Sequence, residues 1–422
     1  MGRRFWLLWQ GQLISQLGGQ AFGVAAIFWI KRQTDSATLL GLVTVAGSLP
    51  AVLLGPFGAV AADLYSRRRI LIGVDVVRGL AAAMVALLFW SGEPGQLGVF
   101  AVLAACVFLG GGDAFFRPAI GATIPDILPA EKLTRGNALN RLAIDTATFL
   151  GQATGALFFR LFGPFWLFLV NSLSYFWGAT SVVLAGPLSQ APRGERKLGL
   201  WAELRSGFAA ARSRPGIARI MMLAPLDTFF AVSIVVLLPF FVEDQLKVNA
   251  DWYGFLIAGF GAGSFVGSLL AGFLRMRGTR RRNAVLTSSF CFSACAGSLG
   301  FATSPYLAVG LMALGGVFLG FNMIQIVTAL QLEAPAESRG RILGLFETLS
   351  ISAAPVAAGL IGPVADLLDR NIPLIYGICG AGLAVVAIIW LFDPSIRAFL
   401  ASNRDEVEAA GSTTATDPAA LP

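Results

Sequence analysis

The sequence predicts an all-α membrane protein: twelve transmembrane helices in two six-helix bundles related by a parallel internal repeat. Three observations carry this prediction. The 422-residue chain is 56% hydrophobic and only 13% charged, with mean hydropathy +0.73, against about 25% charged in ordinary soluble domains. Its halves repeat: Gly41 precedes Arg67-Arg68-Arg69 by 26 residues, and Gly254 precedes Arg280-Arg281-Arg282 by 26. Val107-Phe108-Leu109-Gly110 recurs as Val317-Phe318-Leu319-Gly320, and Pro129-Ala130-Glu131 as Pro335-Ala336-Glu337. Finally, the basic residues gather on alternate connections. A duplicated apolar chain of this kind is the trace of a secondary transporter, whose substrate sits between the two repeats.

A helix needs about 20 apolar residues to cross the ~30 Å hydrocarbon layer. Twelve stretches meet that need: 6–30, 37–62, 70–91, 97–118, 141–163 and 165–187 in the first copy, and 217–242, 252–275, 284–303, 306–330, 342–365 and 372–393 in the second. Alternation with a period of two is missing, which leaves helices as the spanning element. The first stretch is too long for a signal-peptide core and is read as structure. The expected units are an N-terminal bundle (1–188), a linker (189–215), a C-terminal bundle (216–394) and a disordered tail (395–422) rich in Ala, Ser, Thr and Asp. Within the linker, residues 198–208 place apolar side chains at helical spacing. They read either as a basic amphipathic helix on the membrane face or as a soluble linker helix.

Twelve spans put both termini on one side. That side carries 24 of the 31 Lys and Arg residues; the other carries five, namely Lys31, Arg32, Arg160, Lys247 and Arg370. The positive-inside rule then predicts an inner or plasma membrane protein with both termini cytoplasmic. The net charge of +7 lies in short clusters between apolar runs, so no nucleic-acid surface is formed. His is absent, which excludes zincin and Ser-His-Asp chemistry, and there is no phosphate-binding Gly-x-x-x-x-Gly-Lys-Ser/Thr loop. No enzyme activity, cofactor or metal is expected. Cys106, Cys291, Cys295 and Cys379 all fall inside spans and read as small packing residues.

The stretch from Gly58 to Arg69, with Asp63 and Arg67-Arg68-Arg69, lies between spans 2 and 3 and resembles the loop signature of the major facilitator superfamily. Leu64, Ser66 and Ala59 stand where that signature has a basic residue, a Gly and a Gly. The stretch from Asp113 through Arg117-Pro118-Ala119 to Ile124-Pro125-Asp126-Ile127-Leu128-Pro129, with Asn137-Ala138-Leu139, is similar to the branch holding macrolide efflux pumps and enterobactin exporters. In that branch the first helix often has an Asp after Ser-x-x-Gly; here Ser15-Gln16-Leu17-Gly18-Gly19 lacks it. The resemblance implies the major facilitator fold and a monomeric secondary transporter, with a small molecule, protons and membrane lipids as its partners. Asp63 and Arg67–Arg69 become candidates for a gating loop, because an ion pair made in one state and broken in another biases a bistable element. Plain topology, with the Arg cluster held at anionic headgroups, is the alternative.

Ionisable residues inside a bilayer cost at least ~2.5 kcal/mol on insertion scales, and each is a functional candidate. Asp75 and Arg78, three apart, and Asp113 and Arg117, four apart, can pair along their helices near the inner side. Asp227 lies about 15 Å into its span, near the midplane, with Thr228, Phe229 and Phe230 beside it and no basic neighbour within a turn. An unpaired carboxylate at that depth suits a group that takes up and releases a proton. A carboxylate solvated in a cavity that attracts cations, or one that stitches two helices together, fits the same residues. Asp113, Asp145 and Glu347 are the other proton-coupling candidates.

The resemblance also implies that helices 1, 4, 7 and 10 line a cavity. Those helices carry Gln12, Gln16 and Gln20 on one face, then Asp227 and Thr228, then Asn322, Gln325 and Thr328. Such amides should face a wet cavity or hydrogen-bond between helices. Gly151–Gly155 on helix 5 and Pro355–Gly359 on helix 11 read either as the antiporter motif or as small-residue packing. The expected function is proton-driven efflux of a hydrophobic or amphipathic small molecule, such as a drug, macrolide or siderophore. A proton-coupled nutrient importer and a non-transporting membrane scaffold are the rivals.

Overall fold

Apolar runs with little internal polarity become long helices because only helices satisfy the backbone within each segment. The computed structural model describes residues 2–92, 94–129, 132–187, 208–209, 211–274, 276–334 and 339–401. Helices α1 (Arg3–Thr34), α2 (Ala37–Leu64), α3 (Arg67–Trp90) and α4 (Gly95–Ile127) follow one another through short turns. Ser36 caps α2 by accepting from the Leu39 N–H. The next helical stretch, Leu133–Ala185, has 53 residues, or roughly 80 Å at 1.5 Å per residue, enough for two crossings. It breaks at Gly163, where φ is 75°, and Pro164 follows. Gly tolerates that conformation and Pro starts a new helix. We call the two parts α5 and α6.

The second half holds α7 (Pro215–Phe240), continued by a π-helical turn (Phe241–Gln245), α8 (Asp251–Phe273), α9 (Gly278–Leu299), α10 (Pro305–Glu333), α11 (Arg339–Leu367) and α12 (Ile372–Phe392). Among the described residues, ten helical stretches are long and apolar enough to cross a membrane, with α5 and α6 counted as one. The remaining long helix, α9, is less apolar because of Arg280–Arg282 and a run of serines. Ser288, Ser289 and Ser293 turn their hydroxyls back onto the carbonyls of Ala284, Val285 and Ser289, so the serines hide their polarity within the helix.

The packing partners repeat. The α2–α4 and α3–α4 contacts of the first half recur as α8–α10 and α9–α10, and α1 against α5 recurs as α7 against α11. Between the halves, α2 packs on α11, and its counterpart α8 packs on α5. Small residues permit both crossings. A Cβ at Gly41 would overlap the Ala358 carbonyl, and one at Gly254 would overlap that of Ala153.

One expectation needs correction. Residues 395–401 of the expected disordered tail belong to a helix, α13 (Pro394–Ala401). Asp393 caps it by accepting from Ser395 and Ile396 N–H, and Ile396, Phe399 and Leu400 are buried against the second half. Its apolar spacing, Ile396, Phe399 and Leu400, supplies one face to bury. The rest of the tail, and the amphipathic linker segment apart from Phe208, lie outside the described residues.

Candidate functional site

The two halves meet at one end and part at the other. On α11, Ala358 and Gly362 touch α2. Ile351, Glu347 and Gly344 continue the same helical stripe toward the face that carries the termini, and there they are exposed. The same pattern holds on α8. Gly254 and Gly261 press on Ala153 and Phe149 of α5, whereas Phe265, Leu269 and Gly272 lower on that stripe are exposed. Leu142 of α5, one stripe below Phe149, is exposed too. These stripes line a cleft between the halves that opens on the terminal face.

The opposite face is shut by charge as well as packing. Lys31, only 5% exposed at the end of α1, donates to Glu243 Oε2 at 3.0 Å and to Asp244 Oδ1 at 2.7 Å. Its ammonium also lies 4.8 Å from the Phe240 ring centre. Arg160 of α5 pairs with Asp251 of α8 at 2.6 Å, and Arg370 after α11 pairs with Asp35 before α2 at 2.5 Å. The Asp366 carboxylate accepts from the N–H groups of Ala37 and Thr38, at 3.0 and 2.9 Å, and from both the Ser36 and Thr38 hydroxyls. It thereby caps α2 from the other half of the molecule. The hydrogen bond that Arg370 donates to the Asp35 carboxylate raises the Arg370 pKa above its ordinary value. On the terminal face, the ion pairs among the described residues stay within one half: Arg67–Asp126, Arg214–Glu333 and Arg219–Asp393. Sequence reading missed this latch. Four of the five cations on the sparsely charged side take part in it, and the acids of the same loops were the available signal.

Asp227 lies midway along α7, half-buried, and makes no hydrogen bond or ion pair with any described residue. Thr228 beside it is half-buried, and Phe229 and Phe230 stack edge-to-face at 5.3 Å. Glu347 is exposed on the α11 wall of the cleft. The side chain of Asp145 lies outside the described residues.

The amides expected to line the cavity divide. Gln16 and Gln20 are half-buried, and Gln20 accepts from Gln152 of α5 at 2.9 Å. Gln12 is buried, which removes it from the cavity wall. Asn322 and Gln325 are corrected likewise: both are buried, Asn322 donating to Ser289 of α9 at 3.0 Å and Gln325 to the Ala271 carbonyl of α8 at 3.4 Å. They stitch helices of the second half together, as an amide deprived of water must.

In the loop between α2 and α3, the alternative of an Arg cluster held at headgroups is corrected at Arg67. Arg67 does not reach for headgroups. It turns inward to pair with Asp126 and donates to the carbonyls of Ala122 at 2.9 Å and Ala62 at 3.3 Å. Arg68 donates to the Val183 carbonyl at 3.5 Å, and Arg69 is exposed. Asp63 ends α2, and its side chain lies outside the described residues. The inner pairs are present but differently weighted. Asp75–Arg78 spans 3.9 Å and Asp113–Arg117 spans 3.7 Å, whereas the short contact runs between helices, from Arg78 to Asp113 at 2.6 Å.

The family model for transmembrane secretion effectors, within the major facilitator group, matches residues 2–409. The chain is 23% identical to macrolide efflux protein A of Streptococcus pyogenes over 87% of its length and 91% of that protein's. It is 26% identical to the multidrug efflux pump Tap of Mycobacterium bovis, covering 82% and 84%, and 26% identical to the enterobactin exporter EntS of Shigella boydii, covering 87% and 86%. Among solved structures it resembles an inward-facing bacterial homologue of the human lysosomal transporter Spinster, with TM-score 0.66, 14% identity and coverage of 94% and 95%. A D-xylose–proton symporter gives TM-score 0.66 at 16% identity, covering 91% and 98%.

Proposed function

Because the chain belongs to the transmembrane secretion effector family of the major facilitator superfamily, we propose that it exports a hydrophobic or amphipathic small molecule in exchange for protons. The terminal face is then cytoplasmic, as the bias of Lys and Arg toward it requires, and the conformation described above is open to the cytoplasm. Export as the direction draws support from the three relatives, each named for efflux or export. The single observation that carries the proton reading is Asp227, an acid midway across the membrane with no partner among the described residues. A group so placed binds either a proton or a substrate cation, and competition between the two couples their fluxes.

The experiment compares two fluxes in reconstituted vesicles with a lipophilic cationic dye. With an imposed proton gradient, wild-type protein accumulates dye, and Asp227→Asn does not. Downhill dye exchange survives in Asp227→Asn, because the amide imitates the protonated acid. Gradient-driven accumulation by Asp227→Asn with an unchanged pH profile refutes the assignment.

A further inference from the structure

We propose that Asp75 is a second proton-binding residue, emptied through Arg78 when a cationic ligand binds Asp113. The inference rests on the proton-exchange reading above but uses the other half of the molecule. Asp75 is 1% exposed, and its Oδ1 is buried with no hydrogen-bond partner. A carboxylate in that condition keeps a proton more cheaply than a charge. Gly178 of α6 makes the space it occupies: a Cβ there would lie 2.7 Å from Asp75 Oδ2 and 3.5 Å from the Ser15 Cβ.

The neighbouring guanidinium is committed elsewhere. Arg78 gives its short contact, 2.6 Å, to Asp113, while its other arm stands 3.9 Å from Asp75 Oδ1, beyond hydrogen-bonding distance. It is 4% exposed, lies 5.3 Å from the Phe116 ring and 5.6 Å from the Tyr175 ring, and its Nε has no partner. The charged and titratable groups around Asp75 are therefore Arg78 on its own helix, Asp113 and Arg117 on α4, and Tyr175 on α6; α1 presents the neutral Ser15.

Asp113 is the entrance. Its side chain is 41% exposed, with Arg117 loosely paired at 3.7 Å and 68% exposed. Both sit on the face of α4 turned away from the exposed apolar residues Phe100, Val107 and Phe108. A cation bound at Asp113 cancels the charge that holds Arg78. The guanidinium then turns to Asp75, the Asp75 O–H bond breaks, and the proton passes to water in the cleft. The cluster gains one positive charge and loses one, so its total charge is unchanged, which is the condition for exchange.

The test adds tetraphenylphosphonium to purified protein and follows proton release together with the infrared band of protonated carboxyl groups. In the wild type, binding should release protons and deplete the band. Asp75→Asn should lose most of the depletion, and Asp75→Glu should restore it at a shifted frequency. Asp113→Asn should likewise lose most of it, since Arg78 already rests on Asp75 and only the Asp227 share remains. Depletion in Asp75→Asn equal to wild type overturns the inference. Loss of depletion in Asp227→Asn with full depletion in Asp75→Asn also overturns it and leaves the Asp227 reading standing. No depletion in the wild type, in a preparation that binds the cation, overturns this inference and the Asp227 reading together.

Discussion

A single arginine shows how local sequence and tertiary partner divide the work. Arg67, Arg68 and Arg69 are identical in type and consecutive, yet among the described residues only Arg67 finds a carboxylate, Asp126, which is itself 11% exposed. Three acceptors converge on that guanidinium and tie the α2–α3 turn to the end of α4. Removing it leaves a nearly buried acid without its cation. Arg67→Ala should destabilise the protein by about 2 kcal/mol, the usual scale for a hydrogen bond to a charged group. Arg69→Ala, on an exposed side chain, should stay within about 0.5 kcal/mol. Thermal unfolding of the two variants in detergent measures the difference, and equal shifts would return Arg67 to a purely topological role.

At the scale of elements, α13 is the least expected helix and the easiest to test. It lies across the bases of α7 and α9, where Arg281 is buried and donates to the Leu400 carbonyl at 2.8 Å. Gly216 at the start of α7 leaves room for Phe399, since a Cβ there would lie 2.5 Å from the Phe399 Cβ. Arg281 belongs to the repeat of the Arg67–Arg69 cluster, so duplication has preserved the charges and redirected their partners. Phe399→Ala should cost about 3 kcal/mol, as a large-to-small change in a packed core does. Arg397→Ala on the exposed side of the same helix should cost almost nothing. If both substitutions are silent in thermal unfolding, α13 contributes no stability to the second half.

For the whole molecule, the balance between open and closed faces rests on a few close approaches. Packing through Gly41 and Gly254 and charge through Lys31, Arg160, Arg370 and Asp366 all act at the face opposite the termini. Gly254→Leu should wedge α8 from α5, and Lys31→Met should leave Glu243 facing an apolar side chain. Each change penalises the closed state, by about 1–3 kcal/mol for overpacking, and shifts population toward opening on that face. A cysteine replacing Val45, which packs beside Gly359, reports the change in a background without the four native cysteines. Its labelling by an impermeant maleimide from that face should rise severalfold in either variant. Unchanged labelling in both would show that neither contact holds the face shut.

The sequence alone determined the spans, the repeat, the bias of positive charge and the depth of Asp227. All four follow from the order of apolar and polar residues along the chain, and hydropathy reports depth along a helix axis. Azimuth and partnership are different quantities. Lys31 meets Glu243 across 212 residues, and Arg78 chooses Asp113 over its nearer neighbour Asp75. Asn322 and Gln325 have the same spacing a cavity wall would need, yet they point into their own bundle. Only the packing of the helices against one another decided those outcomes, because a buried polar group takes whichever partner the neighbouring helix presents to it.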